Sequence, residues 1–282
     1  MSELYAVTGA TGALGSRVAR RLAAAGAAQR LVVRDPGAAP DLPGAQVATA
    51  DGYAHAGGMR AALAGATTLL LVSGRESADR VAEHVSAIDA AAAAGVQRVV
   101  YTSFLGAAPD ATFTLARQHW QTEEHLRASG LRWTALRNSL YLGVLPHLAG
   151  ADGVIRGPAG DGAVSAVSHD DVADVALAVL LDAEGDTGDG TTYDVTGPEA
   201  LTLQQVADQL TRHAGRPVRY EAETVEQAYA SRAHYGAPEY EVAGWVTSYT
   251  AIAAGELSTV SSTVPRLTGH PARTLGQELT AP

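Results

Sequence analysis

The chain has 282 residues, 46% hydrophobic and 18% charged, with a formal net charge of −10. That balance suits a protein with a sizeable buried core and argues against a nucleic-acid surface, which needs clustered positive charge. There is no cysteine, and all 20 Lys+Arg residues are arginine, so disulfides, thiolate catalysis and any lysine-dependent step are excluded. The nine histidines show no paired helical spacing, and no metal site is expected. The N-terminal residues carry no basic-then-apolar leader, and the alanine-rich runs break before reaching about 20 apolar residues, so the expectation is a cytoplasmic protein with no membrane partner.

In chain order, short β-branched runs predict strands over 4–8, 30–34, 46–49, 68–73, 96–103 and 132–137. Alanine- and leucine-rich segments between them predict helices over 14–25, 57–63, 77–94 and 116–129. Strands this uniformly apolar are buried on both faces, as in a parallel sheet covered by helices. Gly26, Gly95 and Gly130 stand where left-handed helix caps are expected. Beyond Arg137 the regularity loosens. Residues 150–162 read as loops around a short strand, and Ser168-His169-Asp170-Asp171 reads as a capping box for a helix through Leu181. A strand over 192–196 returns to the sheet. From Leu201 onward helices carry Tyr229, Tyr235, Tyr240, Trp245 and Tyr249. The predicted fold is α/β, a Rossmann-type doubly wound parallel sheet with a smaller, mostly helical C-terminal substrate lobe. Residues 1–150 form the dinucleotide-binding domain, to which 163–196 return. The lobe takes 197–282 with 151–162.

The strongest motif is Thr8-Gly9-Ala10-Thr11-Gly12-Ala13-Leu14-Gly15, which follows the first strand and opens the first helix. Gly9 permits a tight turn, Gly12 lets the backbone approach a pyrophosphate, and Gly15 lets the helix pack on the sheet. The helix N-terminus then offers free N–H groups to phosphate. Arg34 ends the second strand nineteen positions after Gly15, where dinucleotide folds read the adenosine ribose. Arginine there pairs with a 2′-phosphate, which favours NADP(H), while the adjacent Asp35 keeps NAD open. Asp51-Gly52 is either an adenine contact or a plain turn pair. Ser73-Gly74 and Thr102-Ser103 lie at carboxyl ends of strands, the edge where ligands bind in open α/β sheets.

With those residues placed, the chain resembles the atypical short-chain dehydrogenases of the NmrA-like group, and within it the NADPH-dependent quinone oxidoreductases. The resemblance is carried by 7–15, 32–36, 99–103, 122–138, 157–162 and the ending Leu267-Thr268-Gly269-His270-Pro271. It implies NADP(H) as cofactor, a quinone-like small-molecule acceptor, and a monomer or homodimer. Typical short-chain dehydrogenases use a Tyr-x-x-x-Lys pair, and this chain, lacking lysine, cannot; the two positions fall on Leu115 and His119. Quinone reductases of the group are similar in lacking the pair.

His119 and Glu123 share a helix face at i, i+4. His119 either bonds the nicotinamide ribose or donates to a reduced acceptor oxygen, or the two form a solvated pair. Ser103 either bonds the carboxamide or substrate, or satisfies backbone. Asn138, Ser139 and Tyr141 follow the sixth strand and are expected beside the nicotinamide, with Tyr141 joining His119 and Ser103 as candidate catalytic groups. Trp245 and Tyr249, four apart, either stack on a flat acceptor or fill the lobe core. Two other functions stay open: a regulator that binds the dinucleotide without turnover, and a tailoring reductase of a biosynthetic pathway.

Overall fold

The computed structural model describes residues 3–182 and 189–280. The elements of the first half are β1 (Tyr5–Thr8), α1 (Ala13–Ala24), β2 (Gln29–Val33), β3 (Ala45–Thr49), α2 (Ala56–Leu63), β4 (Thr68–Leu71), α3 (Arg80–Ala93), β5 (Arg98–Phe104), α4 (Thr114–Ala128) and β6 (Arg132–Asn138). Then come β7 (Val154–Gly157), β8 (Ala163–Val164), α5 (His169–Leu181), β9 (Thr191–Val195), β10 (Leu201–Thr202), α6 (Leu203–Ala214), β11 (Arg219–Ala222), α7 (Val225–Arg232) and α8 (Glu239–Ala253). Two short helices, α9 (Thr263–Thr268) and α10 (Leu275–Thr280), follow.

Seven strands form one sheet in the order β3-β2-β1-β4-β5-β6-β9. β1 runs parallel to both β2 and β4, β2 to β3, and β4 to β5. The chain winds outward from β1 through β2 and β3, then restarts beside β1 with β4. At such a switch the loops leaving β1 and β4 turn to opposite sides, which opens a crevice at their carboxyl ends. Every residue of β1 and β4 is buried, as double-sided coverage demands. Helix α1 covers the sheet with Leu14, Val18, Ala19 and Leu22, a stripe at helical spacing. Leu63, Leu69, Leu71, Ile88, Val99 and Leu126 share one core cluster, each burial contributing roughly 1.5–3 kcal/mol.

The chain divides into two compact units. The first gathers the described residues of Met1–Ser103, Gln118–Arg137 and Val172–Tyr193. The second gathers those of Phe104–Arg117, Asn138–Asp171 and Asp194–Pro282. This partition differs from one drawn at 150: residues 104–117, 138–150, 163–171 and 194–196 belong with the second unit. The reason is its own core, which recruits Leu105, Phe113, Leu142, Ile155, Val164 and Val206 from all three segments of that unit. Within that unit β8 pairs antiparallel with β10, and β7 pairs parallel with β11.

Tyr249 is 8% exposed and belongs to this core. A Cβ on Gly157 would overlap the Tyr249 ring, so this glycine makes room for it. Trp245 sets its ring edge-on against Tyr235 at 5.8 Å. The helix α5 is capped by Ser168, whose Oγ accepts from the Asp171 N–H at 2.9 Å. The Asp171 carboxylate accepts from the Arg273 N–H instead of closing the reciprocal half of a capping box. Among the described residues no helix is long and apolar enough to cross a membrane.

Candidate nucleotide site

The turn from β1 into α1 is built by its glycines. Gly9 has φ +61, a left-handed conformation in which a side chain is strained. The Gly12 N–H donates to the Gly9 carbonyl at 2.8 Å and tightens the turn. A Cβ on Gly15 would overlap that same carbonyl, so α1 can lie on the turn only with glycine there. Gly12 is the N-cap, and no side chain caps the first turn of α1. Its leading N–H groups, at the positive end of a 12-residue helix, therefore suit an anion. Gly9, Thr11 and Gly12 line the crevice. Ala10, Leu14 and Gly15 pack inward, and Ala13 is exposed beside them.

The crevice has a volume of about 500 Å³ and lies within the first unit. It brings together Gly9, Thr11, Gly12, Arg34, Asp51, Gly52, Ser73 and Gly74, eight of the positions singled out from the sequence. Arg34 is exposed at the end of β2. Its neighbour Asp35 accepts from the Gly37 N–H at 2.9 Å and caps the turn Pro36–Ala38. The adjacent carboxylate is therefore engaged by its own loop, and the Arg34 guanidinium lines the crevice.

Sequence reasoning missed Tyr53, Met59, Arg75 and Glu83, which also line the crevice. The Tyr53 hydroxyl lies 2.6 Å from the Val72 carbonyl and 2.8 Å from Thr8 Oγ1, and burial pushes its phenol up to about 12. The signal for it was its place just after Asp51-Gly52 at the carboxyl end of β3.

A buried polar network holds the floor behind β4. Three successive amides are each taken by a side chain from a different element. Val72 N–H donates to Thr8 Oγ1 at 2.9 Å, Ser73 N–H to Thr102 Oγ1 at 2.7 Å, and Gly74 N–H to His84 Nε2 at 2.8 Å. Arg80 Nε donates to the Gly74 carbonyl at 2.9 Å, and its terminal nitrogen donates to His119 Nε2 at 2.9 Å. A guanidinium and a backbone amide can only donate. Both imidazoles therefore accept at Nε2 and carry their proton at Nδ1. His84 Nδ1 reaches Thr122 Oγ1 at 3.1 Å, and His119 Nδ1 reaches the Tyr101 hydroxyl at 2.8 Å. Burial, reinforced by Arg80, pushes His84 down to about 3 and His119 well below its ordinary 6.5.

This placement differs from the three readings of His119 that the sequence allows. It is 5% exposed, with both ring nitrogens engaged by Arg80 and Tyr101, so it neither forms a solvated pair with Glu123 nor presents a free ring nitrogen. Glu123 instead accepts from the Ser103 hydroxyl at 2.6 Å, from Arg127 at 2.7 Å, and from Arg137 at 2.9 and 2.7 Å. Ser103 is thus tied to a buried carboxylate, and Thr102 works beneath the crevice as the acceptor for Ser73.

Asn138 and Tyr141 belong to the second unit. Asn138 Nδ2 lies 3.4 Å from the Tyr141 hydroxyl, and the Tyr141 ring stacks on His169 with centroids 3.8 Å apart. Burial pushes the Tyr141 phenol up to about 12. Asn138 Oδ1 and Ser139 Oγ are buried with no hydrogen-bond partner, which is costly for groups without a ligand to satisfy them.

The profile of the NmrA-like family matches residues 1–252. Quinone oxidoreductase 2 of Escherichia coli strain K12 is 35% identical, covering 98% of this chain and 97% of its own. An NAD(P)H azoreductase of Xenophilus azovorans is 34% identical over 96% of this chain and 95% of its own. The crystal structure of an E. coli NADPH-dependent quinone oxidoreductase in complex with NADPH superposes with a TM-score of 0.88, at 33% identity and 98% coverage of both chains. A Gly-rich turn at the switch point of this sheet, matched along nearly the whole chain, places the protein: it belongs to the NmrA-like family.

Proposed function

We propose that the protein is an NADPH-dependent reductase that passes hydride to a quinone or a similar electron-poor acceptor. The observation that carries this reading is Arg34, exposed on the crevice while Asp35 is engaged by Gly37 N–H. A carboxylate at that place would accept from a 2′-hydroxyl, whereas a guanidinium pairs with a 2′-phosphate. The glycine turn and the uncapped start of α1 hold the pyrophosphate. The relatives support a reductase of electron-poor acceptors, since one is named as a quinone oxidoreductase and another as an azoreductase.

NADPH, when bound, supplies the hydride. The residues of this chain orient the two flat partners and keep water from between them. Without lysine there is no Tyr–Lys acid to protonate an alkoxide, and a quinone needs none: it takes the hydride on one centre and a single proton from water to give the hydroquinone. Tyr141 is a protonated phenol at neutral pH that lies beside Asn138 within the second unit. Ser103 and His119 act behind the site, through Glu123 and Arg80.

NADPH oxidation with a panel of quinones tests this, with secondary alcohols and NADP as the control. Quinone-dependent turnover that prefers NADPH to NADH, with the preference lost in Arg34→Ala, is expected. No turnover with any quinone, together with unequal affinities for NADP and NADPH, would point to a regulator instead. Brisk alcohol oxidation would overturn the acceptor class.

A further inference from the structure

We propose that His84 is a positioning residue for the nucleotide: it sets the shape of the crevice floor by accepting the Gly74 N–H, without lining the crevice itself. The inference rests on the reading of the crevice as the NADPH site. Two of the three amides that follow β4 are held by short hydroxyls at the ends of the neighbouring strands, Thr8 and Thr102. The third lies beyond the strand ends, and only a long side chain from α3 reaches it. His84 does so at 2.8 Å, while Arg80, one helical turn earlier, takes the Gly74 carbonyl. Both polar groups of the Gly74 peptide are therefore consumed by the protein. What Gly74 presents to the crevice is its bare Cα surface, and its position depends on the two side chains that grip it from behind.

The far side of the ring is fixed as well. His84 Nδ1–H donates to Thr122 Oγ1, which itself donates to the Gln118 carbonyl at 3.0 Å. The imidazole thus works as a rigid spacer between α4 and the β4 loop. Its two ends are chemically distinct, an acceptor toward Gly74 and a donor toward Thr122. Losing the acceptor would leave the half-buried Gly74 amide without its protein partner and free the loop to shift.

The two conservative amides separate the two ends. Glutamine places its terminal group near the position of Nε2 and can accept from Gly74. Asparagine places its group near Nδ1 and can reach only Thr122. NADPH titration should show His84→Asn weakened by about tenfold or more, and His84→Gln within about threefold of the wild type. Both variants should be melted without nucleotide, so that a loss of fold is told apart from a loss of binding. Equal losses in the two variants, or none in His84→Asn, would overturn the proposal. Nitrogen NMR of the wild-type protein supplies a readout that needs no variant: a neutral ring protonated at Nδ1 is expected, with the Gly74 amide shifted by NADPH. A ring protonated at Nε2, or a Gly74 amide untouched by the nucleotide, would also overturn it. Failure of the wild type to bind NADPH would instead remove the underlying reading of the crevice.

Discussion

Acidification should destabilise the folded protein through His84, by an amount that can be worked out from its surroundings. The ring is buried against Gly74, Thr122 and Tyr101, with the Arg80 guanidinium nearby, and these hold it down to about 3 from the ordinary 6.5. In the unfolded chain the same ring takes up a proton near 6.5, whereas the native state refuses it. The stability tied to this residue is therefore fully present above pH 6.5 and is lost as pH falls toward 3, at about 1.4 kcal/mol per pH unit. At pH 5 the loss is about 2 kcal/mol, a large share of the 5–15 kcal/mol typical of folded proteins. His119, also held below its ordinary value, acts with the same sign. Urea unfolding at pH 8, 6.5 and 5 measures the effect, with His84→Gln as the comparison because it cannot titrate. The fall in stability from pH 8 to pH 5 should be smaller in the variant by about 2 kcal/mol. An identical fall in the two proteins would refute the argument that the buried neutral ring carries this dependence.

Arg34→Ala should weaken NADPH by about 1–3 kcal/mol, as a lost charge-assisted contact does, and leave NADH nearly unchanged; calorimetry with both nucleotides decides it, and equal losses would show that Arg34 does not read the phosphate. Gly15→Ala forces a methyl into the Gly9 carbonyl, so it should lower the melting temperature and abolish NADPH binding together; a variant that melts like the wild type and still binds would disprove the close approach. Glu123→Ala strips the buried carboxylate from Arg127, Arg137 and Ser103, and urea unfolding should show a loss of about 3 kcal/mol. A loss under about 1 kcal/mol would mean that the two arginines find water at little cost.

What could be read without a structure was whatever depends on neighbours in sequence. The spacing of Gly9, Gly12 and Gly15 between an apolar run and a helix follows from backbone sterics alone, whereas the crevice also needs the loops that follow β2, β3 and β4. Arg34 was legible because the length of one helix and one turn fixes where the second strand ends. The predicted strands also reappear as β1 to β6 and β9 within a few residues; the apolar runs of β1 and β4 are buried throughout, whereas the edge strand β3 has no buried residue.

Partners distant in the chain were not legible. The i, i+4 spacing of His119 and Glu123 tells that they share a helix face, but not what covers it. Packing delivers Arg80 and Tyr101 to one of them and Ser103 with Arg137 to the other. Asp35 beside Arg34 leaves the choice of ribose reader open in the sequence, and only the fold shows its carboxylate accepting from the Gly37 N–H of its own loop. The second unit likewise draws on three separated stretches, because its core is assembled from whichever apolar side chains the sheet topology returns to it. Local periodicity is set by the geometry of one turn or one strand. A buried hydrogen bond is set by the requirement that every desolvated donor find an acceptor, and that acceptor is chosen by the tertiary structure.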